Sequence, residues 1–161
     1  MENNITDLKT DSSHVFLQLI VLLLKSQQST SLQAYAAIIL TNVVPFSRNK
    51  DDVGVLVQSI TPVVFNLICS PNTFLRGKAL WLFRNLVSKI SISSIEEALA
   101  HVTSIILEDS IGFDVVRLAS EILLVICQEH PKLSCEKLKL VLPALMKLIK
   151  SDDLLLLFSG H

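Results

Sequence analysis

The chain has 161 residues, half of them apolar and 18% charged, with a formal net charge of −1. Four glycines and five prolines are too few for a disordered or turn-rich all-β chain, and the scattered basic residues offer no footprint for nucleic acid or an anionic membrane. Cys69, Cys127 and Cys135 are odd in number and lack Cys-x-x-Cys spacing, which argues against a disulfide framework or zinc site and for small buried or half-buried thiols.

Residues 1–13 form a polar segment with Glu2, Asp7 and Asp11, without the basic-then-apolar pattern of a secretory leader. From there the apolar spacing predicts helices at about 14–25, 31–46, 53–69, 73–90, 94–108, 113–129 and 135–150. The run Val15 to Leu24 is too short to span a bilayer. The uncharged stretch after Asp52 is interrupted by Gln58, Thr61, Pro62 and Asn66, so both runs read as buried helices and no membrane insertion is expected. Helix starts are expected at Ser31, Thr73 or Asn72, Ser93 or Ser94, Asp114 and Ser134, each of which precedes an apolar run. Ser94 with Glu97 has capping-box spacing, and Pro131 is expected to stop the sixth helix.

Three segments repeat. Leu32 to Leu40, Leu75 to Phe83 and Val116 to Leu124 each place a large aliphatic residue, a small residue four later, and a large apolar residue four after that. Positions i, i+4 and i+8 fall on one helical stripe, which makes Leu32, Ala36, Leu75, Ala79 and Val116 repeat positions. The preceding apolar helices end at matching points: Lys25-Ser26, Cys69-Ser70, Glu108-Asp109 and Lys150-Ser151. Pro62 and Pro143 occupy one slot two repeats apart, in similar strings. Arg76 and Arg117 share a slot at the start of the second helix of a pair, where the first repeat carries Gln33. Such arginines are expected to bond to the neighbouring turn, for example at Asp109, and tie repeats together. Trp81 reads as core or inter-repeat packing, the alternative being an exposed interaction anchor.

A helix-turn-helix unit with a period near 40 residues is the range of HEAT and armadillo arrays. The expected fold is an all-α solenoid of about three and a half helix pairs over 14–158. Its repeats are 14–50, 51–92, 93–132 and an incomplete 133–158. Leu154 to Phe158 resembles the opening of an unfinished helix, as in a piece of a longer array or a truncated copy.

Nothing in the sequence assembles a reaction centre, so no enzyme, cofactor or metal is expected. His14, His101, His130 and His161 are never three or four residues from one another, and Cys127 with His130 is a lone pair. The acidic pairs Asp51-Asp52, Glu96-Glu97, Glu108-Asp109 and Asp152-Asp153 sit at helix ends or turns. No glycine-rich phosphate loop or nucleophile motif is present.

The string Ser70-Pro71-Asn72-Thr73-Phe74-Leu75-Arg76-Gly77-Lys78-Ala79-Leu80-Trp81-Leu82-Phe83 resembles a second-helix motif of the importin-β superfamily of nuclear transport receptors, closest in pattern to the importin seven and eight group. Ile105 to Asp109 and Asp114 to Ala119 continue the likeness, which covers residues 56 to 155. The resemblance implies a receptor array that moves between cytoplasm and nucleus, with cargo, the GTPase Ran or nuclear pore proteins as partners. Such receptors are several times longer and usually more acidic, and no Ran- or cargo-binding residue carries over. The rival reading is a HEAT scaffold or adaptor unrelated to transport, or a truncated fragment without independent function.

Overall fold

A computed structural model describes residues 15–44, 50–109 and 111–150. Helices are the only regular elements among them. They are α1 (15–25), α2 (Thr30–Val43), α3 (Lys50–Ile68), α4 (Thr73–Leu86), α5 (Ile92–Leu107), α6 (Phe113–Glu129), α7 (Pro131–Glu136) and α8 (Leu138–Lys150), with a 3₁₀ turn at Val87–Lys89 after α4. The fold class is therefore all-α. The expected unfinished helix at Leu154 to Phe158, and the end of the second predicted helix at 45–46, lie outside the described residues.

Several helices begin earlier than the caps read from sequence, because a serine further upstream has the extended backbone that a cap needs. Ser29, not Ser31, caps α2, its hydroxyl accepting the Leu32 N–H at 3.3 Å. Ser91, not Ser93 or Ser94, caps α5 and accepts the Ser94 N–H at 3.4 Å. Glu97 therefore lies beyond the first turn and is free for other work. Asn72 caps α4, with Oδ1 accepting the Leu75 N–H at 3.0 Å. Gly112 holds the cap position of α6 without a side-chain bond, and Asp114 falls in the first turn, where its charge favours the helix dipole.

The expected single helix 135–150 is two. Pro131 cannot continue α6, and His130 before it leaves helical geometry at φ −129° and ψ 60°. Pro131 then opens α7 at its first turn, where its missing N–H costs nothing. Lys137, at φ −101° and ψ 24°, separates α7 from α8. Ser134 is inside α7, not at a start, and its hydroxyl donates to the His130 carbonyl. Pro62 and Pro143 both lie inside helices, α3 and α8. Beside Pro62, the Thr61 hydroxyl donates to the Val57 carbonyl.

The helices other than α7 each contribute buried apolar residues to a single core, and α7 rests Leu133 against it. Leu40, Ile60, Val64, Ile68, Leu80, Phe83, Ile95, Leu99, Ile122 and Leu123 are all fully buried in it. Contacts run in a regular order. α2 packs on α4 and α4 on α6; α3 meets α5 and α5 meets α8; α3 with α4 and α5 with α6 form the pairs joined through a turn. Small residues sit where α2, α4 and α6 are most buried: Ala36, Ala37, Ala79 and Ala119. Phe83 meets Phe65 edge-on, with ring centroids 5.5 Å apart.

The burial pattern corrects the sequence alignment in one place. The buried positions of α4 are Leu75, Ala79, Leu80, Leu82, Phe83 and Leu86; those of α6 include Val115, Ala119, Ser120, Ile122, Leu123 and Ile126. The two sets match at a spacing of 40 residues, one less than the sequence match used. Val116 is half-buried, and Val115 takes the slot of Leu75. At the other end, Leu32 is 46% exposed whereas Ala36 and Leu40 are buried. Truncating Phe83 to Ala is expected to cost about 3–5 kcal/mol, and Leu124 to Ala under about 0.5 kcal/mol, by urea denaturation followed by circular dichroism.

Candidate functional site

The helix pairs are closed by a recurring bond. A helix leaves its last carbonyls without intrahelical donors. In α2, buried Gln33 turns its side-chain amide back to the Leu24 carbonyl at 3.0 Å, near the end of α1. In α4, Arg76 does the same for α3: Nε donates to the Ile68 carbonyl at 2.8 Å. Its second nitrogen, Nη2, forms an ion pair with Glu108, the residue that follows α5. One side chain, only 14% exposed, thus fastens the ends of two successive helices. The acidic partner is Glu108, not the neighbouring Asp109 expected from sequence.

Arg117 does not repeat this role. The one-residue shift in register turns it outward, where it is half-exposed and lies 3.6 Å from Glu121, one turn along α6. Arg84 approaches the same carboxylate at 2.9 Å from α4, so Glu121 links α4 to α6 through the Arg84 guanidinium. At the end of α5 the donor is Lys147 of α8, whose ammonium bonds to the Glu108 carbonyl at 2.8 Å. Lys137 pairs with Glu96 at 2.6 Å, linking the α7–α8 junction to α5.

The outer face of α4 carries aromatic groups. Trp81 is 37% exposed, between the fully buried Leu80 and Leu82, so it is a surface residue rather than core. Lys78 Nζ sits 5.3 Å from the Trp81 ring and 5.5 Å from that of Phe74, which is 51% exposed. Each such contact between a cation and an exposed ring contributes about 0.5–1 kcal/mol. Tyr35 on α2 is exposed as well. Flat aromatic groups of this kind anchor protein partners.

On the other side, α3 and α5 enclose a groove of about 600 Å³, with Pro62, Phe65, Asn66, Ile90, Glu97 and His101 among its lining. At one edge Cys69 Sγ lies 3.6 Å from His101 Nδ1. The other imidazole nitrogen, Nε2, lies 3.6 Å from Glu97 Oε1, one turn earlier on α5. Sequence reasoning missed this trio because Cys69 and His101 are 32 residues apart on different helices. Cys69 is also exposed, not buried. No group of three or more His, Cys, Asp or Glu side chains among the described residues is placed to hold a metal ion. No helix among them is long and apolar enough to cross a membrane.

No protein-family model matches the chain, and no curated protein or solved structure matches it at a significant level.

Two predictions test the joints. Replacing Arg76 with Ala is expected to cost about 1.5–3 kcal/mol, because a hydrogen-bonded charge and a part-buried carbonyl lose each other. Arg117 to Ala is expected to cost under about 0.5 kcal/mol, as for an exposed ion pair. Urea midpoints of the two variants check the contrast. Lys137 is held above its ordinary value of 10.5, first by its hydrogen bond to Glu96 and then by that carboxylate's charge. A raised lysine value in the folded state means that the pair's contribution is complete below 10.5 and is lost as pH climbs through the raised value. Titration of the Lys137 side chain by NMR is expected to show a midpoint above 10.5 that falls back toward 10.5 in Glu96→Gln.

Proposed function

We propose that the chain is a segment of a HEAT-type solenoid whose work is to bind other proteins, and that the array is of the nuclear transport receptor kind. The observation that carries the repeat reading is the recurring bond at the end of a helix pair. Gln33 reaches back nine residues to the Leu24 carbonyl, and Arg76, 43 residues later, reaches back eight to the Ile68 carbonyl, with different chemistry. Stacking of α2 on α4 on α6, with α3, α5 and α8 in contact alongside, is the order of neighbours that a solenoid needs. The exposed Phe74, Lys78 and Trp81 set gives such an array a place to grip.

The transport reading rests on the string Ser70 to Phe83 and its continuation through Ala119. Cargo, Ran and nuclear pore proteins are the partners it implies, in cytoplasm and nucleus. The fold alone carries no such information, since helical arrays serve many functions.

Purified chain titrated with a phenylalanine-glycine-repeat peptide, with a basic import-signal peptide, and with Ran loaded with GTP or GDP, followed by fluorescence anisotropy, tests this reading. Saturable binding of either peptide, or preference for the GTP form of Ran, is expected. Silence toward all of them would leave a scaffold or adaptor outside transport as the better account. Where a probe binds, Trp81→Ala is expected to weaken that binding by about 2 kcal/mol or more, roughly 30-fold, if α4 is the gripping face.

A further inference from the structure

The turn after α3 carries an exposed thiol, Cys69, and α5 brings a base to it. His101 Nδ1 is 3.6 Å from Sγ, within hydrogen-bond reach for sulfur. Two further groups flank the imidazole. Glu97 faces Nε2 at 3.6 Å, and the Phe65 ring lies against it with centroids 5.3 Å apart. Phe65 is itself packed on Phe83 in the core, so the wall behind His101 is fixed. The edge of the α3–α5 groove, which His101 and Glu97 line, leaves room for a small molecule. A thiol beside a base, with a carboxylate near the base's far nitrogen, is an arrangement that activates a cysteine. Cys135 is equally exposed, yet no histidine among the described residues bonds to it, and Cys127 is half-buried.

We propose that Cys69 is a histidine-activated thiol, a modification site that takes a peroxide and then a low-molecular-weight thiol. His101 Nδ1 accepts the thiol proton, and Glu97 steadies the imidazolium. The thiolate attacks one oxygen of hydrogen peroxide. The S–O bond forms as the O–O bond breaks, and the departing hydroxide takes the imidazolium proton and leaves as water. Sulfur is oxidised to the sulfenic acid and peroxide is reduced. A low-molecular-weight thiol then attacks the sulfenic sulfur. Its proton and the sulfenic hydroxyl leave as a second water, and a mixed disulfide remains. The adduct occupies the place of the sulfur–imidazole contact, so the modification acts on the joint between α3 and α5. Besides His101 and Glu97, Lys89 in the groove and the Arg76–Glu108 pair at the end of α3 are the charged groups around this edge.

The full chain is treated with limiting iodoacetamide, and the three cysteines are followed separately by peptide mass spectrometry; a parallel sample receives hydrogen peroxide and then glutathione. Cys69 is expected to react at least about tenfold faster than Cys135 at neutral pH, below the ~100-fold that a positioned general base supplies. It is also expected to be the residue that gains glutathione. His101→Gln is expected to bring Cys69 down to the rate of Cys135 while the half-buried Cys127 stays slow, which reports an intact fold. Equal rates for Cys69 and Cys135 in the parent chain, or an advantage that survives His101→Gln, would overturn the proposal. If Cys127 becomes fast in that variant, the fold is lost and Glu97→Gln decides. A several-fold drop at Cys69 supports the relay, and an unchanged ratio of Cys69 to Cys135 sinks it.

Discussion

The structure depends on the burial of α4 from more than one side. This helix meets α2, α3 and α6, and six of its fourteen residues are buried. A helix so placed cannot carry a large side chain wherever a neighbour comes close, and Ala79 is the small residue on its buried stripe. Ala36 and Ala37 on α2 and Ala119 on α6 answer it on the flanking helices. The polar joints add specificity to this packing. Arg76 consumes a carbonyl at the end of α3 and a carboxylate after α5, so the position of α4 determines where both neighbouring helix ends must lie.

Much of this was legible in the residues because helices write their packing at a period of 3.6. Ala36 and Ala79 were found by their place in a repeated string, Pro62 and Pro143 by their matched surroundings, and Asn72 by its cap chemistry. What failed were features set by neighbours remote in sequence. The 41-residue match put Arg117 with Arg76, yet burial of Val115, Ala119 and Ile122 puts the two helices in register at 40. A side chain one position off points about 100° away, which is why Arg117 finds Glu121 and not a helix end. Leu32 and Trp81 fit the apolar stripe by type but lie at its margin, and a margin shows only when the adjoining helix is in place. The partnership of Cys69 with His101 has no periodic signature at all.

Function divides along the same line. The bonds of Gln33 to Leu24 and of Arg76 to Ile68 and Glu108 fix where helix ends lie. Phe74, Lys78 and Trp81 lie on α4, whose opposite face is buried in the core. The α3–α5 side differs: it holds a groove, a thiol–imidazole contact and the Phe65–His101 ring contact, with Arg76 tying the two helix ends.

Native-state hydrogen exchange resolved to single helices tests the central claim most directly. If α4 is the helix that the others depend on, its amides open only with global unfolding. Protection should then fall off through α2 and α6 toward α1 and α8. Amides of α4 that exchange as fast as those of α1 or α8 would contradict the account.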